Sequence, residues 1–188
     1  MMTYALYALD LYDEFSAAGQ VFFDFDENSS NVNYLIYDDM GSGVRIKYPS
    51  SWNMLEQLGN ISGNNILVDL YHTGINGTLG YSENANVVLS SSDRVERESL
   101  NEFTNSTIRD LAETLSNFTL EESDSTIISG LPAHKITYTI AGNQSEVKQT
   151  QVWTFKDNKW FVVSYSAEPS AYFNPRTAQN ILDSLLIR

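Results

Sequence analysis

Apolar and polar residues alternate most regularly between Ser129 and Arg188. After the turn residues Gly130-Leu131-Pro132, the positions His134, Ile136, Tyr138 and Ile140 interleave with Lys135, Thr137 and Thr139. This is the period-two pattern of a half-buried strand. A turn at Gly142-Asn143 leads into Lys148 to Lys156, where Gln151, Trp153 and Phe155 share one phase. Asp157-Asn158 then joins that strand to Trp160 to Ala167 as a two-residue hairpin connection. The third strand is apolar in both phases, Trp160 and Val162 in one and Phe161, Val163, Tyr165 and Ala167 in the other, as a central strand covered on both faces requires. Asn174 as cap and Pro175 at the first position open a closing helix with Ala178, Ile181, Leu182 and Leu185 inward.

Earlier in the chain, Tyr34 to Tyr37 and Val44 to Tyr48 predict a hairpin, with Asp38-Asp39-Met40-Gly41-Ser42-Gly43 as its turn. Asn65 to Tyr71 and Ala85 to Ser90 read as two more strands, separated by a loop, His72 to Asn84, that holds Gly74, Gly77 and Gly80. Ser99-Leu100-Asn101-Glu102 forms a capping box, and Leu100, Phe103, Ile108, Leu111, Leu115 and Phe118 recur at near-helical spacing, so one helix runs from about Leu100 to Ser116. Glu121, Glu122 and Asp124 then fall at its exit as solvated carboxylates. Met1 to Gly19 has the pattern of an amphipathic helix, with Thr3, Asp10, Asp13 and Glu14 on one side. Val21 to Asp26 reads as an extra edge strand. Hairpin connections in place of alternating strand-helix units give an α+β class: a mainly antiparallel sheet flanked by helices, an α/β sandwich. The expected organisation is a domain at 33–188 and an N-terminal extension at 1–32 docked on it.

Several short motifs occur in a fixed order. Gly43-Val44-Arg45-Ile46-Lys47-Tyr48-Pro49-Ser50-Ser51-Trp52 precedes Gly130-Leu131-Pro132-Ala133-His134-Lys135, Gln151-Val152-Trp153-Thr154, Tyr165-Ser166-Ala167-Glu168-Pro169 and a terminal Ile181-Leu182-Asp183-Ser184-Leu185. In this order and spacing the chain, from about Asn33 to Arg188, resembles archaeal proteins related to PsbP. The resemblance implies the PsbP fold. PsbP itself is an extrinsic, non-enzymatic subunit supporting oxygen evolution in photosystem II, and a nuclear transport factor that binds Ran shares the architecture. No activity comes with the resemblance.

Charge narrows the partners. The 24 acidic residues outnumber the 11 basic ones, and eight acidic residues precede the first basic one, Arg45. Such a polyanion is repelled by nucleic acid and by anionic lipid surfaces, and favours cations or basic partners. The absence of cysteine excludes disulfides and thiolate chemistry, and two histidines, His72 and His134, exclude a histidine-rich metal site. His134 has the phase of a packed histidine that hydrogen-bonds a neighbour. A hydrolase would need one of the two bound to a carboxylate and facing an exposed hydroxyl. No nucleophile elbow, phosphate-binding loop or dinucleotide fingerprint occurs, so no catalytic residue is assigned. Calcium is the one cofactor that the residues suggest, because hard cations need oxygen ligands. Asp24, Asp26 and Asn28 copy the first ligand positions of a calcium loop, but Ser29 replaces its turn glycine and Leu35 its closing carboxylate. Asp38 and Asp39 are the other candidate ligands.

Six Asn-x-Ser/Thr acceptors, at Asn28, Asn60, Asn76, Asn105, Asn117 and Asn143, compare with about three expected by chance from this composition. With the acidic, Asn- and Ser/Thr-rich composition they point to an extracellular or cell-surface location, a cytoplasmic one being the alternative. Met1 to Gly19 lacks a basic leader and is interrupted by Asp10, so it makes a poor signal peptide, and it is too short and acidic to span a bilayer. The resulting expectation is a non-enzymatic, surface-exposed domain acting by protein binding or self-association, with divalent-cation or small-ligand binding as the alternative and an unrecognised hydrolase as a more remote one.

Overall fold

A computed structural model describes residues 32–61, 64–73, 82–90, 99–141, 146–167 and 173–188. The predicted N-terminal helix and strand, the Gly142-Asn143 turn and most of the three-glycine loop lie outside the described residues. Among the described residues, ten strands and two helices follow in the order β1 (Tyr34–Asp39), β2 (Val44–Pro49), β3 (Asn53–Ile61), β4 (Asn64–Thr73), β5 (Ser82–Ser90), α1 (Leu100–Thr114), β6 (Thr119–Ile128), β7 (Leu131–Ala141), β8 (Glu146–Lys156), β9 (Lys159–Ala167), α2 (Pro175–Asp183) and β10 (Leu186–Ile187). They form a three-stranded sheet, β1-β2-β10, and a seven-stranded sheet, β3-β4-β5-β9-β8-β7-β6. Every pairing is antiparallel. The class is α+β.

The two phases of β9 divide the core. Trp160 and Val162 pack with Trp153, Ile136, Tyr138, the α1 residues Phe103 and Leu111, and Leu115 just past the helix. Phe161, Val163 and Tyr165 pack on the other side with Tyr37, Val44, Ile46 and Tyr48 of the small sheet and with Ala178, Ile181 and Leu182 of α2. A strand hydrogen-bonded on both edges and covered on both faces has to be apolar in both phases, and β9 is.

Aromatic contacts fix α1 to the sheet. The Phe103 ring stacks on Trp160 at 3.8 Å between centroids and meets Trp153 edge-on at 6.0 Å. Trp153 Nε1 donates to Thr104 Oγ1 at 3.0 Å, which satisfies a buried indole. The helix starts where the capping box places it: Glu102 N donates to Ser99 Oγ and the Glu102 carboxylate accepts from Ser99 N. Its end at Thr114 is slightly short of Ser116, because Leu115 is already extended.

On the other face, Trp52 explains the Tyr48-Pro49-Ser50-Ser51-Trp52 motif. Trp52 N closes a turn onto Pro49 O at 3.0 Å, and its indole stacks on Tyr165 at 6.1 Å, joining the small-sheet hairpin to the large sheet. Tyr165 therefore faces away from Trp153 and Trp160, as its phase on the strand predicts.

Three readings need correction. Residues Thr119–Ile128 form β6, so Glu121, Glu122 and Asp124 sit on an edge strand and not at a helix exit. Its polarity in both phases hid it, since seven consecutive residues, Thr119 to Ser125, are exposed. Asn53–Ile61 is also an edge strand, with a register shift between Glu56 and Gly59 that breaks its period. Finally, β4 and β5 extend to Thr73 and from Ser82, which shortens the intervening loop.

Trp160→Ala should cost roughly 3–5 kcal/mol of unfolding free energy in urea titrations, and Ser99→Ala only about 1 kcal/mol. Equal losses would contradict the dominance of the aromatic joint.

Candidate functional site

The hairpin of β1 and β2 is built by its turn. Asp39 carboxylate oxygens accept from Gly41 N at 2.8 Å and from Ser42 N at 3.3 Å. Gly43 has φ +74°, and its carbonyl accepts from Arg188 N at 2.9 Å. A Cβ at Gly43 would stand 3.3 Å from the Arg188 carbonyl oxygen, so glycine both makes the turn and admits the chain end. That end is held by side chains too. Arg188 forms a two-pronged bridge to Asp38, Nη1 to Oδ1 at 2.7 Å and Nη2 to Oδ2 at 2.9 Å, with Arg45 Nε 3.9 Å from Asp38 Oδ2.

β1 ends the order of its sheet, and no strand among the described residues pairs with its outer edge. Among the described residues seven large apolar side chains are exposed, and five of them (Val32, Leu35, Ile36, Met40 and Leu186) belong to the small sheet or its flanks. Leu35 and Ile36 are consecutive and so lie on opposite faces, yet they are 47% and 46% exposed. At the far edge of the large sheet, β6 instead presents Glu121, Glu122 and Asp124. Charges of this kind block edge-to-edge pairing, and β1 between Tyr34 and Tyr37 has none.

The candidate cation ligands Asp38 and Asp39 have protein partners. The Arg188 bridge holds the Asp38 carboxyl below the ordinary carboxylate range, and the Ser42 side chain, followed by the turn amides, does the same for Asp39. Asp24, Asp26 and Asn28 lie outside the described residues. No group of three or more His, Asp or Glu gathers among the described residues. Of the acceptor asparagines, Asn105 is exposed on α1, Asn117 is exposed in a turn at φ +55°, and Asn60 lies on β3. Asn28, Asn76 and Asn143 are outside the described residues.

His134 stacks on Trp153 at 5.8 Å, and its Nε2 shares a 2.9 Å hydrogen bond with the exposed Ser123 Oγ. Burial lowers its pKa, with Asp124 opposing. The structure thus supplies the hydroxyl of a hydrolase-like arrangement, while no hydrogen bond from His134 to a carboxylate occurs among the described residues. His72 stacks on Trp52 at 6.5 Å. The two histidines lie on different strands and are not brought together.

The motifs that carried the resemblance thus occupy structural joints. Trp52 links the sheets, and the Ser129-Gly130 turn, with φ +53° and +76°, ties the β6–β7 hairpin to the chain end, Ser129 Oγ donating to Leu185 O and accepting from Ile187 N. The sequence description of PsbP-like proteins matches residues 23–187. The chain belongs to the PsbP-like family. No curated protein matches it. Among solved structures, cyanobacterial PsbP (CyanoP) from Synechocystis sp. PCC 6803 is 14% identical, with a TM-score of 0.59 over 88% of this chain and 98% of its own. LpqN, involved in cell envelope biogenesis of Mycobacterium tuberculosis, is 11% identical, with a TM-score of 0.56 over 84% of this chain and 91% of its own. The Ran-binding protein Mog1p of Saccharomyces cerevisiae is also 11% identical, with a TM-score of 0.52 over 84% and 96%. At these identities the likeness is one of fold. Among the described residues of this PsbP-like chain, no helix is long and apolar enough to cross a membrane.

The apolar edge of β1 was not legible as a site. Leu35 and Ile36 read as ordinary strand residues, and their exposure follows from the strand order. The Asp38–Arg188 bridge makes a prediction for pH. A carboxyl whose folded pKa is depressed adds stability above its unfolded pKa and loses it as pH falls through the folded value. Arg188→Ala should therefore lower the melting temperature at neutral pH, with the difference from wild type closing as pH falls below the ordinary carboxylate range. A difference independent of pH would show that Arg188 acts by packing on Met40.

Proposed function

We propose that this PsbP-like chain is a non-enzymatic binding domain, exported or displayed at the cell surface, that captures a protein through the edge of β1. The observation that carries this reading is the pair Leu35 and Ile36, half-exposed on opposite faces of a strand with no described partner on its outer side. An incoming extended segment gains main-chain hydrogen bonds along such an edge, and its alternate side chains meet Leu35 on one face and Ile36 on the other. Met40 and Leu186 extend the apolar contact, and the Asp38–Arg45–Arg188 group forms a polar rim. The net charge of −13 disfavours nucleic acid and anionic membranes as partners and favours a basic protein segment.

The location rests on the excess of acceptor asparagines, two of which, Asn105 and Asn117, are exposed. One structural neighbour, a Ran-binding protein, supports a binding role on this fold by analogy.

Leu35→Asp with Ile36→Asp should weaken partner retention from an extract of the producing cells by roughly tenfold or more, with an unchanged melting temperature. Ile127→Asp, at the most exposed apolar side chain of β6 (73% exposed), serves as the control and should retain the partner. Equal retention by both variants would contradict the β1 edge as the interface. Light scattering of the purified chain identifies a second copy as the partner if mass rises with concentration through wild-type β1 and not through the variant.

A further inference from the structure

The fold presents two of its Asn-x-Thr motifs in opposite ways. Asn105-Ser106-Thr107 lies inside α1, whereas Asn117-Phe118-Thr119 crosses the turn from α1 into β6. Both asparagines are exposed. The difference lies two residues further on, because a glycan transferase reads the motif by its two polar ends, the asparagine amide and the hydroxyl at the second following position.

Two residues of an α-helix stand about 200° apart around its axis. Asn105 therefore faces water while Thr107 is buried, and Ser106 between them donates its hydroxyl to Phe103 O at 3.0 Å. Engaging Asn105 and Thr107 together requires this turn of α1 to unwind, next to the turn that stacks Phe103 on Trp160. No helix has to open at the second motif. α1 ends at Thr114, Leu115 is extended, and Asn117 stands at φ +55°, a left-handed conformation that asparagine takes more readily than most residues. Thr119 begins the edge strand β6 and is exposed, as are the six residues after it. Phe118 holds the segment in place, its ring 5.2 Å from that of Tyr138, and Ser116 O accepts from Ala141 N at 2.9 Å. Both polar ends of this motif thus stand in water on an anchored turn.

We infer that Asn117 is an N-glycan acceptor presented by the folded chain, and that folding withholds Asn105. The donor is a polyprenyl-phosphate-linked oligosaccharide. Asn117 Nδ2 forms a bond to the anomeric carbon of the first sugar as the bond from that carbon to the phosphate oxygen breaks. The electron pair leaves with the phosphate, and one amide proton passes from Nδ2 to a base of the transferase, so nothing is oxidised or reduced. The inference rests on the exported location proposed above. It does not depend on the β1 edge.

The test gives the purified, folded full chain to a membrane fraction with N-glycan transferase activity and its lipid-linked donor. Trypsin cleavage after Arg97, Arg109 and Lys135 then places Asn105 in residues 98–109 and Asn117 in residues 110–135, and mass spectrometry reads the occupancy of each. Asn117 should be occupied roughly tenfold more than Asn105 or better, because modification of Asn105 waits on local opening of α1. Offered as free peptides, the two should be modified to similar extents. Thr119→Val should abolish transfer to Asn117 at an unchanged melting temperature, since this threonine is exposed. An unmodified Asn117 in the folded chain, under conditions that modify its free peptide, would overturn the proposal, and so would equal occupancy of the two asparagines in the folded chain. Fractionation of the producing cells decides the exported location separately, which tells a failure of the location from a failure of the site.

Discussion

The fold depends on covering β9 from both sides at once. Its position between β5 and β8 gives it hydrogen bonds on both edges, but those bonds alone leave two apolar faces in water. One face is closed where Phe103 stacks on Trp160 and Thr104 accepts from the Trp153 indole. The other is closed where Trp52 stacks on Tyr165 and where Ile46, Ile181 and Leu182 fill the space between the sheets. Removing either cover would expose a row of large side chains on the strand that holds the seven-stranded sheet together. The short caps and the Arg188 bridge are additions to that arrangement.

The same arrangement decides what is left for recognition. A sheet built outward from a buried centre has edges, and the protein treats its edges unequally. β6 is long and polar in both phases, with acidic side chains and a register shift between Leu120 and Glu122, which are ordinary protections against unwanted pairing. β1 is short and apolar at its middle, and its neighbours in the turn are engaged by Arg188 and by backbone amides. Among the described residues the β1 edge between Tyr34 and Tyr37 thus lacks the charges that protect β6, and this contrast is what the proposed binding role rests on.

The parts of this fold that were legible in the sequence are those in which local pattern and tertiary role coincide. β7, β8 and β9, the capping box at Ser99, the Asp157-Asn158 hairpin with φ +50° and +60°, and the Asn174 cap of α2 all follow from short-range rules. β3 and β6 were hidden because edge strands need not alternate. Asp38 and Asp39 read as cation ligands because the partner of Asp38 is 150 residues away, and sequence spacing carries no information about that. Gln151 was visible in phase with Trp153, but its burial is set by tertiary packing and not by the strand pattern.

Residue-resolved amide hydrogen exchange on the monomeric chain tests the division between a doubly covered centre and an open edge most directly. The amides of β8 and β9 should be the slowest to exchange, opening only with global unfolding, while alternate amides of β1, those on its outer side, should exchange orders of magnitude faster. Protection of every β1 amide to the level of β9 would show that the edge is already occupied within the chain, and would contradict the account.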